Sequence, residues 1–309
     1  MKIKQMALLV VLAGMAASGA MAKEGGDQYP NGAESWLAGA VPPPGNYFLN
    51  YFGHYGGKLR DGDGDKVQGA SVDAWFDAMR FIKMTDTKIL GGDWGMHLIV
   101  PVVHQEVKLG GRSKSVTGLG DITFNPIIVA WHTPNLHWTV ALDLNLPTGK
   151  YKSGDPRQSI GTNYWSLEPI FAATWMSDSG WEVSGKFMYN IKSKNEDFRP
   201  APGAPKMDYE SGDDFHMDYV VGKHVGPWAV GLSGYYLKQT TDDKLEGGKL
   251  SSALGPWSSG RRGEVFAIGP SVSYTGKNGM MFIAQWQQET EAENRFRGDK
   301  AWLKLVMPF

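Results

Sequence analysis

The chain has 309 residues, with 31 Lys and Arg against 32 Asp and Glu, and no Cys. A balance this close to neutral leaves no electrostatic footprint for nucleic acid, and the lack of Cys removes disulfide staples and thiolate metal sites. After the first 22 residues no apolar run approaches the roughly 18 that a membrane helix needs, and the longest, Leu98 to Val103, contains Pro101.

The N-terminus reads as a secretory signal over residues 1–22. Lys2 and Lys4 form a basic region, Met6 to Ala17 a short apolar one, and Ala20-Met21-Ala22 fits the small-x-small cleavage pattern. The segment 23–45 follows, with Pro42-Pro43-Pro44, which forbids a regular ladder and favours an extended chain. Two readings stay open for it: a disordered periplasmic leader, or a segment inserted into the lumen of the fold that follows, anchored by Trp36 and Leu37.

From residue 46 onward the pattern is that of strands. His137 to Leu146 alternates strictly, with Trp138, Val140, Leu142, Leu144 and Leu146 on one face and Thr139, Ala141, Asp143 and Asn145 on the other. Trp181 to Lys192 alternates likewise. Such runs recur near 46–57, 70–83, 92–108, 117–132, 137–147, 163–176, 181–193, 213–225, 228–239, 263–275, 280–291 and 298–309. Each is long enough to cross a bilayer at a tilt. No linker or composition break divides them. The expected fold is therefore all-β: a transmembrane antiparallel β-barrel of about 12 strands spanning 46–309. A mean hydropathy of −0.32 suits a wall whose lipid-facing residues are diluted by lumen-facing ones.

Connections alternate in length. Thr133 to Leu136, Ser177 to Gly180, Gly226-Pro227 and Gly276 to Gly279 are short. Lys58–Gly69, Pro147–Thr162, Lys194–Gly212 and Thr240–Arg262 are expected to be longer outer loops. Trp94, Trp131, Trp138, Trp175, Trp181 and Trp228 all sit beside the short connections, as an interfacial aromatic girdle would. The last segment places Ala301, Leu303, Leu305, Met307 and Phe309 on one face and Lys304 on the other. It resembles the C-terminal signal read by the barrel-assembly machinery, an expected partner along with outer-membrane lipid.

A charge on a strand whose alternate residues face lipid has to point inward, because lipid exposure of Lys or Arg costs roughly 2–4 kcal/mol at the midplane. On this ground the lumen or solute path is assigned Asp143, Asn145, Glu168, Lys186, Asn190, Lys192, Gln285, Gln287 and Glu289. A salt-bridged filling of the lumen competes with an open path. Pro126, Pro169 and Pro270 fall inside strands, where a missing donor marks a bulge or kink. Asp61-Gly62-Asp63-Gly64-Asp65 resembles a calcium loop, but position twelve is Val72, so an exposed acidic turn is expected. Seven His are scattered without a His-Glu-x-x-His pattern, and none has Ser two residues later, so no catalytic residue and no metal site is assigned. Tyr151, Phe198, Tyr209 and Trp257 in the long loops are candidate contacts at the outer mouth, or simple loop packing.

Several stretches together resemble a family. They are Gly118-Leu119-Gly120-Asp121, Leu146-Pro147-Thr148-Gly149-Lys150-Tyr151, Tyr209-Glu210-Ser211-Gly212-Asp213, Gly234-Tyr235-Tyr236 with Gln239, Gly269-Pro270-Ser271-Val272-Ser273-Tyr274 and Glu293-Asn294-Arg295. Their order and spacing resemble the outer-membrane proteins associated with the meta-cleavage pathway of phenol degradation. The resemblance implies an outer-membrane channel or transporter for small hydrophobic or aromatic solutes, without cofactor. A closed structural or surface-binding barrel is the alternative.

Overall fold

A computed structural model describes residues 27–250 and 261–309; the expected signal peptide, residues 23–26 and Trp257 lie outside them. In chain order the strands are β1 (Gly45–Arg60), β2 (Lys66–Ile89), β3 (Gly92–Leu109), β4 (Arg112–Leu119), β5 (Ile122–His132), β6 (Leu136–Leu146), β7 (Ser166–Met176), β8 (Trp181–Lys192), β9 (Asn195–Phe198), β10 (Met207–Glu210), β11 (Asp214–Val225), β12 (Trp228–Gln239), β13 (Lys244–Leu245), β14 (Gly248–Lys249), β15 (Glu264–Thr275), β16 (Met281–Glu293) and β17 (Phe296–Pro308). β4 and β5 both pair with β3 and break only at Gly120 and Asp121, so they act as one interrupted strand. Counted this way, twelve antiparallel strands follow one another round the sheet, and β1 pairs with β17 to close it. Closure leaves no barrel edge unpaired. β9, β10, β13 and β14 form a separate four-stranded sheet in the long loops.

The period-two pattern sorts the faces. Along β7, Ser166, Glu168, Ile170, Ala172 and Thr174 are buried, while Leu167, Phe171 and Trp175 are exposed. β8 repeats this, with Glu182, Ser184, Lys186, Met188 and Asn190 inside and Trp181, Val183, Phe187 and Ile191 outside. An apolar exterior over a polar interior is the arrangement that lipid imposes on a barrel. The girdle residues Trp175, Trp181 and Trp228 are all about half exposed at the short-turn end. Beside them Trp131 and Trp138 stack across the β5–β6 turn, with centroids 6.2 Å apart.

Two expectations need correction. Lys58–Gly69 is mostly strand: β1 runs to Arg60 and β2 begins at Lys66. Burial of Leu59 and Ala70 against Val107 and Leu109 favours pairing beyond the bilayer-length segment. The remaining turn is held by Asp61, whose Oδ1 accepts from the N–H groups of Asp63 and Asp65 at 3.1 and 2.9 Å. The strand expected over 117–132 is the second. It starts at Arg112 and breaks at Asp121, whose carboxylate instead accepts from Gly149 N–H, Thr162 N–H and the Thr162 hydroxyl.

Pro126, Pro169 and Pro270 act differently. Pairing of β5 with β6 shifts register between Phe124 and Ile127, so Pro126 sits in a bulge. Pairing lapses at Pro169 between β7 and β8, and at Gly269 and Pro270 between β15 and β16, without a change of register. The missing proline N–H accounts for each lapse.

Candidate functional site in the barrel lumen

Residues 27–42 lie inside the barrel, with Pro43 and Pro44 exposed at its short-turn end. The segment runs from the long-loop end to the short-turn end and meets β1 there. At the loop end the Gln28 side chain donates to Asp121 and Thr162 and accepts from Ser166. Midway, Asp218 on β11 gathers three donors from the segment: the Tyr29 hydroxyl at 2.5 Å, Gly32 N–H at 2.7 Å and Glu34 N–H at 2.9 Å. Near the turn end Trp36 is buried and donates from Nε1 to the Ser271 hydroxyl at 2.9 Å. Leu37 is held through its backbone, whose N–H donates to Glu182. Gly39 bonds Thr174 and Thr139.

The nine lumen-assigned side chains all point inward, but most are engaged in pairs. Asp143 Oδ1 accepts from Asn125 Nδ2, and His97 Nε2 lies 3.2 Å from it. Asn145 bridges Thr123 and Ser166. Glu168 accepts from Asn190 at 2.6 Å and faces His216. Lys192 pairs with Asp214 at 2.6 Å. Lys186 lies over the Tyr29 ring. Gln285 and Gln287 donate to the Gly32 carbonyl, and Glu289 accepts from the hydroxyls of Tyr55 and Tyr235. These residues bind strand to strand and wall to inserted segment. Buried charges persist only when paired and hydrogen-bonded in this way.

Open space remains beside the inserted segment, mostly along the β1–β3 wall, with Glu289 bordering one cavity and Lys186 the other. Towards the loop end a cavity of about 240 Å³ is bounded by Val72, Ala74, Phe76, Ala78, Val103 and Val107. Towards the turn end a second, about 380 Å³, is bounded by Leu49, Ile82, Met84, Ile128, Met281 and Val306. One polar layer separates them. Glu34 accepts from Arg80 at 2.7 Å, from the Tyr51 hydroxyl at 2.9 Å and from Lys304 at 3.2 Å, and Arg80 reaches His97 Nδ1 at 2.9 Å. The apolar lining residues were missed in the sequence because β2 is apolar on both faces. Trp75, Phe76, Ala78, Met79, Phe81 and Ile82 run together, and alternation is lost. That loss of alternation was itself the available signal for an apolar lumen wall.

A third, shallow space of about 740 Å³ opens on the outer surface over Pro270. Exposed Trp75, Trp286 and Leu303 border it, together with the lumen-side Gln285 and Trp302. The ladder between β15 and β16 lapses there, at Gly269 and Pro270. In the loops, Phe198 and Tyr209 are buried against Leu250 rather than presented at the mouth. Tyr151 accepts through its hydroxyl from Asn195. Among the described residues no three His, Asp or Glu side chains converge as metal ligands.

A family model described as "Putative MetA-pathway of phenol degradation" matches residues 56–305, from β1 into β17. The chain belongs to this family. The fold is also similar to a solved outer-membrane channel from Pseudomonas putida F1, with a TM-score of 0.75 and 14% identity over 89% of this chain and 99% of that one. It is similar as well to the transport unit of the autotransporter AIDA-I from Escherichia coli, with a TM-score of 0.51 and 10% identity over 88% of this chain and 95% of that one. No curated protein matches the sequence. The fold likeness to outer-membrane barrels agrees with the closed all-β barrel seen here.

Proposed function

We propose that the protein is an outer-membrane channel for passive uptake of small hydrophobic or aromatic compounds. The observation that carries this reading is the apolar wall of β2 and β3, with a cavity on each side of the Glu34 layer. The Val, Ala, Ile and Phe face of each cavity offers no hydrogen bonds, while Gln28, Glu289 and Lys300 border the loop-end cavity on its other side and Lys186 and Thr139 the turn-end one. A sugar lying against the apolar face gives up hydration there without replacement, whereas an aromatic solute gives up little. Membership of a family associated with phenol degradation points to the same solute class. The channel named for the Pseudomonas putida F1 neighbour supports transport over adhesion. No catalytic step, cofactor or energy source enters the reading.

In this reading the exposed face of the strands meets outer-membrane lipid, and the short turns face the periplasm. Leu303 and Phe309 are exposed on the last strand, and Phe309 N–H donates to the Asn46 carbonyl where the barrel closes. This exposed ending supports recognition by the barrel-assembly machinery.

A closed structural barrel is favoured by the segment held inside the lumen and by the polar layer at Glu34 that crosses between the cavities. Uptake by liposomes carrying the refolded barrel separates the two. Faster entry of phenol-sized aromatics than of sugars supports the channel. Equal entry of both describes a general pore, and no entry of either into liposomes with folded barrel describes a closed one.

A further inference from the structure

The register of β5 against β6 sets His132 directly opposite His137 at the short-turn end. Their Nδ1 atoms lie 2.9 Å apart. Both residues fall on the lumen side of their strands, in step with Ala130 and Thr139, at the mouth of the barrel. The turn beneath them is fixed: Thr133 N–H and its hydroxyl both donate to the Leu136 carbonyl, and Leu136 N–H donates back to the Thr133 hydroxyl. His132 turns its other ring nitrogen, Nε2, towards Asp93 Oδ2 at 3.7 Å. Asp93 is in turn held by Lys88.

We propose that His132 and His137 form a chelating site for a first-row transition-metal dication of the copper(II) or nickel(II) type. Three features carry it. The spacing fits: the two Nδ1 atoms share a hydrogen bond at 2.9 Å, and an ion about 2 Å from both holds two imidazole nitrogens about 3 Å apart, so it can take the proton's place. Among first-row dications the affinity of such donors rises through nickel(II) to copper(II). The tautomer fits as well: the Asp93 charge, 3.7 Å from His132 Nε2, favours a proton there, so that His132 Nδ1 accepts from His137 Nδ1–H until an ion replaces that proton. A ligating His is commonly oriented by a carboxylate on the side of its other ring nitrogen. Access is the third feature, because both rings lie at an exposed rim and can turn to converge on an ion. Two protein nitrogens leave the remaining positions to water, so the bound ion is exchangeable and adds positive charge at the mouth.

The adjacent Trp131 and Trp138 provide the readout, since copper(II) and nickel(II) quench nearby indole fluorescence. Untagged full-length barrel in detergent is titrated with copper(II), then with nickel(II), and the copper-loaded form is examined by electron paramagnetic resonance. One copper per chain is expected, with quenching and a spectrum showing two imidazole nitrogens. His132→Asn and His137→Asn should each weaken binding by about 100-fold or more, and Asp93→Asn by about tenfold. His104→Asn, on an exposed His elsewhere, serves as the control and should change nothing. Folding of each variant is read from its heat-modifiable gel mobility. Binding that survives both His132→Asn and His137→Asn in folded barrel would overturn the site, as would binding lost equally in His104→Asn or no binding at all.

Discussion

Arg80 Nη1 donates to Glu34 Oε1 at 2.7 Å, joining the β2 wall to the segment inside the barrel at the level where the lumen divides in two. Both side chains are largely withdrawn from solvent, and Lys304 completes the layer from β17. Removing one member of a buried pair costs about 3–5 kcal/mol where the other charge is left uncompensated, and here Lys304 still faces Glu34. Arg80→Met should therefore lower barrel stability by less than that in denaturant unfolding. It should also raise single-channel conductance, because the layer loses its bulkiest cross-link. A variant of unchanged stability and conductance would show that the pair neither holds nor closes the lumen.

Asp218 is the main cradle of the inserted segment, with the Tyr29 hydroxyl and the N–H groups of Gly32 and Glu34 on one carboxylate. Asp218→Ala strands three buried donors, each worth about 1–3 kcal/mol when unsatisfied. The segment should then leave the lumen for part of the time while the barrel stays closed through β1 and β17. Protease cutting within residues 27–44 should rise, and the Trp36 emission should shift to the red. Resistance equal to that of the unaltered protein would mean that the other anchors suffice.

The loop sheet has its own pH dependence. Asp243 accepts from Gly212 N–H, Gln239 and the Tyr209 hydroxyl at the centre of the outer loops. Burial pushes its carboxyl up from 3.8 to about 6, against the donors from Gly212 and Tyr209 and the charges of Arg261 and Lys192. The folded loop thus binds this proton more tightly than the unfolded chain does. The stabilisation is fully present below about pH 4, falls as pH rises, and is gone above about 6. Hydrogen exchange in β10 and β13 should be slower at pH 5 than at pH 7.5, after correction for the intrinsic rate. Asp243→Asn should abolish the difference. A difference that persists in the variant would place the titrating group elsewhere.

Much of the barrel was legible because lipid enforces alternation. Trp138, Val140 and Leu142 could be sorted from Thr139, Ala141 and Asp143 by period alone, and Trp175, Trp181 and Trp228 marked one rim. The lumen was legible only as a set of polar residues. Glu168, Gln287 and Glu289 were recognisable as inward-facing, but their partners come from distant strands and from residues 28–34, which no local pattern specifies. The apolar wall around Phe76 and Val103 was hidden because alternation fails where both faces are apolar. The His132–His137 pair flanks the turn expected at Thr133 to Leu136, but the sequence places seven His without revealing that these two rings meet across it.

The central claim is that solute moves along the β2–β3 wall. Val103 borders the loop-end cavity, and its neighbour Val102 points to the other face of β3. Val103→Trp fills that cavity, whereas Val102→Trp adds an indole outside the lumen. The most direct measurement is aromatic solute uptake by liposomes carrying each variant or the unaltered barrel. The account predicts a large fall in uptake for Val103→Trp and little change for Val102→Trp. Unaltered uptake in folded Val103→Trp barrel would contradict it.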